Sequence, residues 1–495
     1  MKVYVDESPA GSGKTYRSIE RINRSKCKVL FFTERTNSFD ELERDIRDAA
    51  QRLGTSPTIH QINGNIEGRS RNVVRQIEAV PVDYALNDHV IVIATHAAML
   101  RSDFSAFAGW QIVVDEVPTF LDFEEKNTHL DVSFFSKYYH IQPLADGWSE
   151  ITVTMEGEKI SVADIKDDYS HSHLSQFHFR VLEASRPSAV RSVRCNLQSW
   201  SDMECRKVKW AWASVFSMRQ LKAFDRVEML GNQFRENIGC ELVRLFDGDS
   251  VEWVPISHPA QARHFNHRDV VINYFSKERP ISASFIKGNG GVEILYQIAS
   301  VLRAQLPEEK SIWSANDKSD DGKKSIKKLL ALPENDYLRP KQAGTNDFSR
   351  FSHAAMIYSA KPSNNMLQFM KALGISSENW TRSVEQETIL QFVTRTSVRD
   401  PANGNTVFLW VFDRWQAEYL KDYFDGLPHV TATMTQIPLD IAVPPKSKGG
   451  RPRIIRTPQE QEAHRAEKRV EDTAKKRVKR AAKKAAEMKA KETKE

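Results

Sequence analysis

Ser8-Pro9-Ala10-Gly11-Ser12-Gly13-Lys14-Thr15 is the stretch that decides the fold. Ahead of it, Met1-Lys2-Val3-Tyr4-Val5-Asp6 reads as a strand, and behind it Tyr16 to Asn23 is helix-prone. Small residues between a strand and a helix let successive backbone N–H groups turn inward at the helix N-terminus, which makes a cradle for phosphate oxygens. Ser8, Gly11, Ser12 and Gly13 shape that cradle. Lys14 is placed to reach the outer phosphates of a nucleoside triphosphate, and the Thr15 hydroxyl to bind a magnesium ion. Gly13-Lys14-Thr15 alone recurs by chance; Gly11, the strand and the helix make the signal specific.

About 100 residues on, Gln111-Ile112-Val113-Val114-Asp115-Glu116 ends a hydrophobic strand in two adjacent carboxylates. Unpaired carboxylates beside a core are costly and need a reason. A magnesium ion on Asp115, with Glu116 orienting or deprotonating an attacking water, supplies one.

Further outward, short apolar runs alternate with amphipathic stretches, the α/β pattern of parallel sheets. Val29–Phe32, Val90–Ile93 and Ile112–Val114 are continuous enough to be central strands buried on both faces, with a covering helix from Ser38 to Leu53. Residues 1–245 therefore read as one α/β domain, interrupted at about 120–210 by an aromatic-rich insertion in which Ile151–Met155 and Ile160–Ala163 predict a β-hairpin turning at Glu156-Gly157-Glu158. The domain resumes at Arg226–Leu230. A second α/β domain spans 265–435, with candidate strands at Val270–Ile272, Ser311–Trp313, Ala355–Tyr358 and Val407–Val411.

The net charge of +6 is unevenly spread. Residues 446–495 hold 18 Lys and Arg against 8 Asp and Glu, so the preceding 445 carry a net deficit of four. This basic tail, flexible or helical, suits an arm that follows phosphates. No apolar stretch is long enough to span a bilayer, so no membrane partner is expected. The strand-like N-terminus argues against a signal peptide, and four cysteines without CxxC spacing argue against a zinc site or a disulfide framework. A cytoplasmic location is the expectation.

The first two motifs together resemble motifs I and II of superfamily-two helicases, the DEAD/DEAH-like group. Weaker likenesses follow in order. Phe32-Thr33-Glu34-Arg35-Thr36-Asn37 is similar to motif Ia, and Ala94-Thr95-His96 to the strand-end threonine segment that such helicases lay along a bound nucleic acid. Leu230-Gly231-Asn232-Gln233-Phe234 holds the place of motif III without its Ser-Ala-Thr, and Gly344-Thr345-Asn346-Asp347 resembles motif V. Gln391-Phe392-Val393-Thr394-Arg395-Thr396-Ser397-Val398-Arg399 resembles motif VI, with Thr394 in place of Gly and the second arginine one position late. At i and i+4, Arg395 and Arg399 are expected to share one helix face, and which of them is the arginine finger stays open.

The resemblance implies two RecA-like domains with ATP and Mg2+ between them, and a nucleic-acid strand across both. It gives Glu116, Gln391, Arg395 and Arg399 catalytic roles, and Thr36, Thr95 and Thr345 contacts to the strand. In the tail, Gly449-Gly450-Arg451-Pro452-Arg453 resembles an AT-hook lacking its first arginine, so Arg451 and Arg453 are candidate minor-groove contacts. Such a tail is similar to those of phage and plasmid replication proteins, which implies a bacterial host cytoplasm and replication-protein partners.

Three functions fit. The first is an ATP-driven helicase or translocase on DNA, with RNA left open. The second is a viral DNA-packaging motor, which needs a trio of strand-end carboxylates that 265–435 does not offer. The third is a DNA-binding scaffold that uses ATP as a switch, with most of its affinity in the tail.

Overall fold

The computed structural model describes residues 1–441 and 443–444, apart from 67–68, 71, 128–130, 187–190, 206–208, 259–263, 289, 318–324 and 341–347. Thr345, Arg451 and Arg453 lie outside the described residues, as does the basic tail.

Seventeen strands carry the architecture. In chain order they are β1 (Lys2–Asp6), β2 (Lys28–Thr33), β3 (Thr58–Gln61), β4 (Val90–Thr95), β5 (Trp110–Asp115), then β6 (Leu121–Asn127), β7 (Tyr139–Pro143), β8 (Ser149–Val153), β9 (Ser192–Cys195), β10 (Lys209–Val215), then β11 (Arg226–Leu230) and β12 (Glu252–Pro255), and finally β13 (Arg268–Ser276), β14 (Ser311–Ala315), β15 (His353–Ile357), β16 (Val407–Asp413) and β17 (Val430–Gln436). The first sheet runs β12-β1-β11-β5-β2-β4-β3, with every pairing parallel. The last five strands form a second, also wholly parallel sheet in the order β14-β15-β16-β13-β17. Between them in sequence lies an antiparallel sheet, β6-β10-β9-β8-β7. The chain is thus α/β with two RecA-like parallel sheets and a subdomain inserted in the first.

The continuous apolar runs have a simple cause. Leu30, Phe32, Val92 and Ile112 point into one core, and Val29, Phe31, Ile91 and Val113 into the core on the opposite face. Helices Lys14–Ser25 and Phe39–Leu53 close the second core with Ile19, Ile22, Phe39 and Ile46. A strand covered on both sides has no polar face to show. The second parallel sheet repeats the scheme, with Leu409 and Val411 on one side and Trp410 and Phe412 on the other.

The inserted sheet accounts for the aromatic-rich segment. Along β10, Trp210 and Trp212 pack into a core closed by helix Ser175–Ser185, while Ala211, Ala213 and Val215 face helices Ile238–Asp247 and Asn364–Ala372. That second face joins the insertion to both halves of the chain through Leu121, Trp148, Leu242, Met366 and Phe369. The neck closes where Phe216 N–H donates to the Phe120 carbonyl at 2.8 Å and the two rings stack.

The hairpin expected at 151–163 is corrected. Only its first arm is a strand, β8, which makes its hairpin with β7 on the preceding side, through a turn in which Gly147 has φ 83°, and pairs with β9 on its other edge. Glu156–Glu158 lies within helix Met155–Lys159, because Thr154 caps that helix through the Gly157 N–H. Ser161 and Asp164 then form a reciprocal capping box that starts helix Val162–Asp167. Capping chemistry outweighed the β-propensity of the run. Among the described residues no helix is long and apolar enough to cross a membrane.

Candidate active site between the two parallel sheets

β1 ends in Asp6, and the following loop turns back on it. Ser8 donates to Asp6 Oδ1 through both its N–H (3.0 Å) and its hydroxyl (2.5 Å), while Arg17 and His258 hold Oδ2 at 3.2 and 2.7 Å. Burial alone would raise the Asp6 carboxyl, but the Ser8 hydroxyl and N–H, His258 and Arg17 keep it below its ordinary value. Gly11 and Gly13 take φ of +77° and +85°, backbone that only glycine adopts without strain, and Gly13 caps helix Lys14–Ser25. Arg17 donates to the Ser12 carbonyl at 2.5 Å.

Lys14 folds over this loop, its Nζ donating to the carbonyls of Ser8 (2.6 Å) and Pro9 (3.1 Å). Burial lowers its pKa, against the pull of Asp115 and Asp6. The Thr15 hydroxyl donates to Asp115 Oδ2 at 2.9 Å. Asp115, at the end of β5, is pushed up to about 6 by burial and by Glu116. Glu116 itself sits at φ 70°, held there by its N–H on the Leu230 carbonyl of the neighbouring β11. Non-glycine residues in left-handed backbone cost on the order of 1–3 kcal/mol and cluster at functional sites. Here the turn carries the carboxylate off the strand line and into the cleft.

The opposite wall comes from the second parallel sheet. Gln391, Thr394, Arg395 and Arg399 line the same cleft of about 590 Å³ as Gly11, Lys14, Thr15, Asp115 and Glu116. Arg399 abuts the glycine loop so closely that a Cβ on Gly11 would lie 2.8 Å from its Cγ. Burial lowers the pKa of both guanidiniums, with Glu116 the chief opposing charge. Arg395 donates through Nε to the Gln391 carbonyl (3.3 Å), and its buried Nη1 has no hydrogen-bond partner among the described residues.

The shared helix face expected of the two arginines is corrected. Helix Glu387–Val393 stops before them, and Ser397–Arg399 is a separate 3₁₀ turn. Thr394 and Thr396 explain the break, since their hydroxyls donate back to the Leu390 (2.8 Å) and Val393 (2.7 Å) carbonyls. Such back-bonding competes with the helix.

Residues the sequence did not single out tie the walls together. The Ala10 N–H donates to the Tyr423 hydroxyl at 3.1 Å, and Tyr419 donates to Gln233 at 2.7 Å and Glu387 at 3.1 Å. Asn232 also reaches Glu387, at 3.4 Å. Glu387 is buried, and burial pushes its carboxyl up to about 7. Asn232 and Gln233 fall in the segment matched to motif III by position only. Their partners Glu387 and Tyr419, like the Tyr423 that meets Ala10, lie on helices and carry no local sequence signal.

The threonines expected to contact a nucleic-acid strand lie elsewhere. β2 and β4 pair with Thr33 opposite Thr95, so Thr36, exposed in the turn beyond β2, and Thr95 share one sheet edge. Thr95 is half-buried and caps helix His96–Met99 through the Ala98 N–H at 3.4 Å. Neither lines the cleft.

No protein-family model matches the chain, and no curated protein matches it. Solved structures do. The structural neighbours are helicases. The chain is similar to an apo XPD structure at 14% identity and a TM-score of 0.47, over 88% of this chain and 97% of that one. A second, described as XPD helicase, gives 13% identity and a TM-score of 0.44, over 88% and 96%. Saccharomyces cerevisiae Dbp5 bound to RNA and ADP BeF3 gives 11% identity and a TM-score of 0.33, over 88% and 85%.

Proposed function

We propose that this chain is a nucleic-acid-dependent ATPase of the helicase kind that couples hydrolysis in the cleft to movement along a DNA strand. One observation carries the reading: the glycine loop and Lys14 of the first parallel sheet, and Arg395 and Arg399 of the second, face one cleft, with Arg399 in contact with Gly11.

The residues divide the work. The loop N–H groups from Gly11 to Lys14 take phosphate oxygens, and Lys14 exchanges its two carbonyl partners for the outer phosphates. Thr15 and Asp115 fit a magnesium ion, because a hydroxyl and a half-buried carboxylate meet at 2.9 Å beside the glycine loop. Bound magnesium supplies charge neutralisation on the phosphates. Glu116 orients the attacking water and draws off its proton. Arg395 and Arg399 stabilise the charge that gathers on the transferred phosphoryl group.

Movement follows from where the pocket lies. Because its two walls belong to different sheets, nucleotide binding draws them together and product loss lets them part. The Tyr423–Ala10 and Tyr419–Gln233 hydrogen bonds cross the same divide and would be remade in each cycle. Thr36 and Thr95 line the strand path at the sheet edge, and the basic tail with Arg451 and Arg453 favours DNA.

The test is hydrolysis by the full chain with single-stranded DNA, duplex DNA or RNA added. Stimulation by single-stranded DNA, and loss of hydrolysis with retained folding in Lys14→Ala, are expected. Hydrolysis indifferent to every nucleic acid would overturn the reading.

A further inference from the structure

A second groove, of about 450 Å³, lies between the first parallel sheet's helices and the inserted subdomain. Arg75 enters it from helix Val73–Asp83, Arg101 from the segment after helix His96–Met99, and Phe179 and Arg186 from the insertion's helix Ser175–Ser185 and its C-terminal cap. The groove's two acids are already engaged. Glu78 accepts the Asp103 N–H at 3.0 Å, and Asp103 accepts the Ser105 N–H at 2.9 Å. The three arginines are not: among the described residues none of their guanidiniums pairs with a carboxylate. Arg101 instead lies 4.8 Å from the Phe179 ring centroid, with Arg180 at 5.3 Å from the same ring, so a base would take the place of the Arg101 guanidinium.

The contrast with the arginines just beneath is informative. Arg180 is held by Asp122 and by Glu183 (2.7 Å), Arg191 lies 3.6 Å from Glu183, and both donate to the Leu100 carbonyl, at 3.3 and 2.8 Å. That buried cluster clamps the insertion onto the residue before Arg101. It anchors the insertion beside the groove, whose own Arg75, Arg101 and Arg186 stay exposed.

We infer that this groove is a contact site for a nucleic-acid single strand, with Arg75, Arg101 and Arg186 taking backbone phosphates and Phe179 stacking one base. Exposed guanidiniums around an aromatic face are the combination that binds a strand without reading its sequence. Arg101 follows Thr95 by one short helix, His96–Met99, which joins the groove along the chain to the threonines proposed above as strand contacts. The inference rests on the nucleic-acid reading above and gives the insertion a part in it.

The test is equilibrium binding of a fluorescently labelled single-stranded DNA to the full chain across a salt series, with thermal melting as the folding control. Replacing all three arginines by alanine should lower the slope of log affinity against log salt by about 2, the share of three phosphates on a single strand. Replacing them by lysine should restore most of the slope. Phe179→Ala should weaken binding roughly tenfold with the slope unchanged, and Phe179→Trp should recover it. Binding that keeps its slope and strength through all four changes overturns the groove alone, and points to an acidic protein partner there instead. A wild-type chain that binds no strand at any salt overturns the broader reading as well.

Discussion

Two strands of this molecule end alike and behave differently. β5 and β16 are both buried apolar strands that terminate in an aspartate, the half-buried Asp115 and the buried Asp413, and desolvation pushes each carboxyl up to about 6. Asp413 uses its oxygens on the backbone, accepting the Gln416 N–H at 3.0 Å and the Ile281 N–H at 3.1 Å. Asp115 has its Oδ2 on a threonine hydroxyl, beside a lysine, with the cleft open before it. The two acids thus differ in what holds them: two backbone N–H groups on Asp413, and a threonine hydroxyl facing the cleft on Asp115.

The sharpest ways to test this contrast are on the cleft side. Arg399→Ala should reduce the turnover of nucleic-acid-stimulated hydrolysis about a thousandfold, the scale of a lost arginine finger, and Arg395→Ala assayed alongside identifies which of the pair carries that role. Asp115→Asn should cost about a hundredfold in turnover with melting temperature nearly unchanged. Asp413→Asn should do the opposite, losing about 2 kcal/mol in denaturant unfolding while turnover stays near wild type, because an amide nitrogen would face a backbone N–H. If the two asparagine variants exchange these behaviours, the distinction between them is wrong.

Gly11→Ala combines a strained φ with a 2.8 Å approach to Arg399 Cγ and should weaken nucleotide binding about tenfold in a fluorescent-nucleotide titration. The smallest effect is in pH. Glu387 has a folded pKa of about 7, above its ordinary 4.5, so its contribution to stability is full below pH 4.5 and is lost as pH rises through 7. Melting temperature in the wild type should fall by a few degrees over that window, and Glu387→Gln should flatten the fall. An unchanged slope in the variant would remove Glu387 from the account.

Much of this was legible in the residues. The glycine-bearing loop lay between a strand and a helix as read, and the long apolar runs became central strands because both faces of the sheet are covered. Arg395 and Arg399 reached the cleft, though through a turn and not a helix, since Thr394 and Thr396 bond back to the helix end. The supposed hairpin arm at 160–163 failed because Ser161 and Asp164 form a capping box, a signal that was present in the sequence.

The sequence by itself determined what is local and covalent in reach: the glycine-bearing turn after β1, the acids at the end of β5, and the periodicities that set the parallel sheets. Only the tertiary structure decided which groups lie together across long separations. It brought His258 to Asp6, Tyr423 to Ala10 and Glu387 to Asn232, and it split Asp115 from Asp413 by the partners each one found. The physical reason is that a hydrogen bond depends on where donor and acceptor meet in space, and a sequence pattern specifies only one of the two.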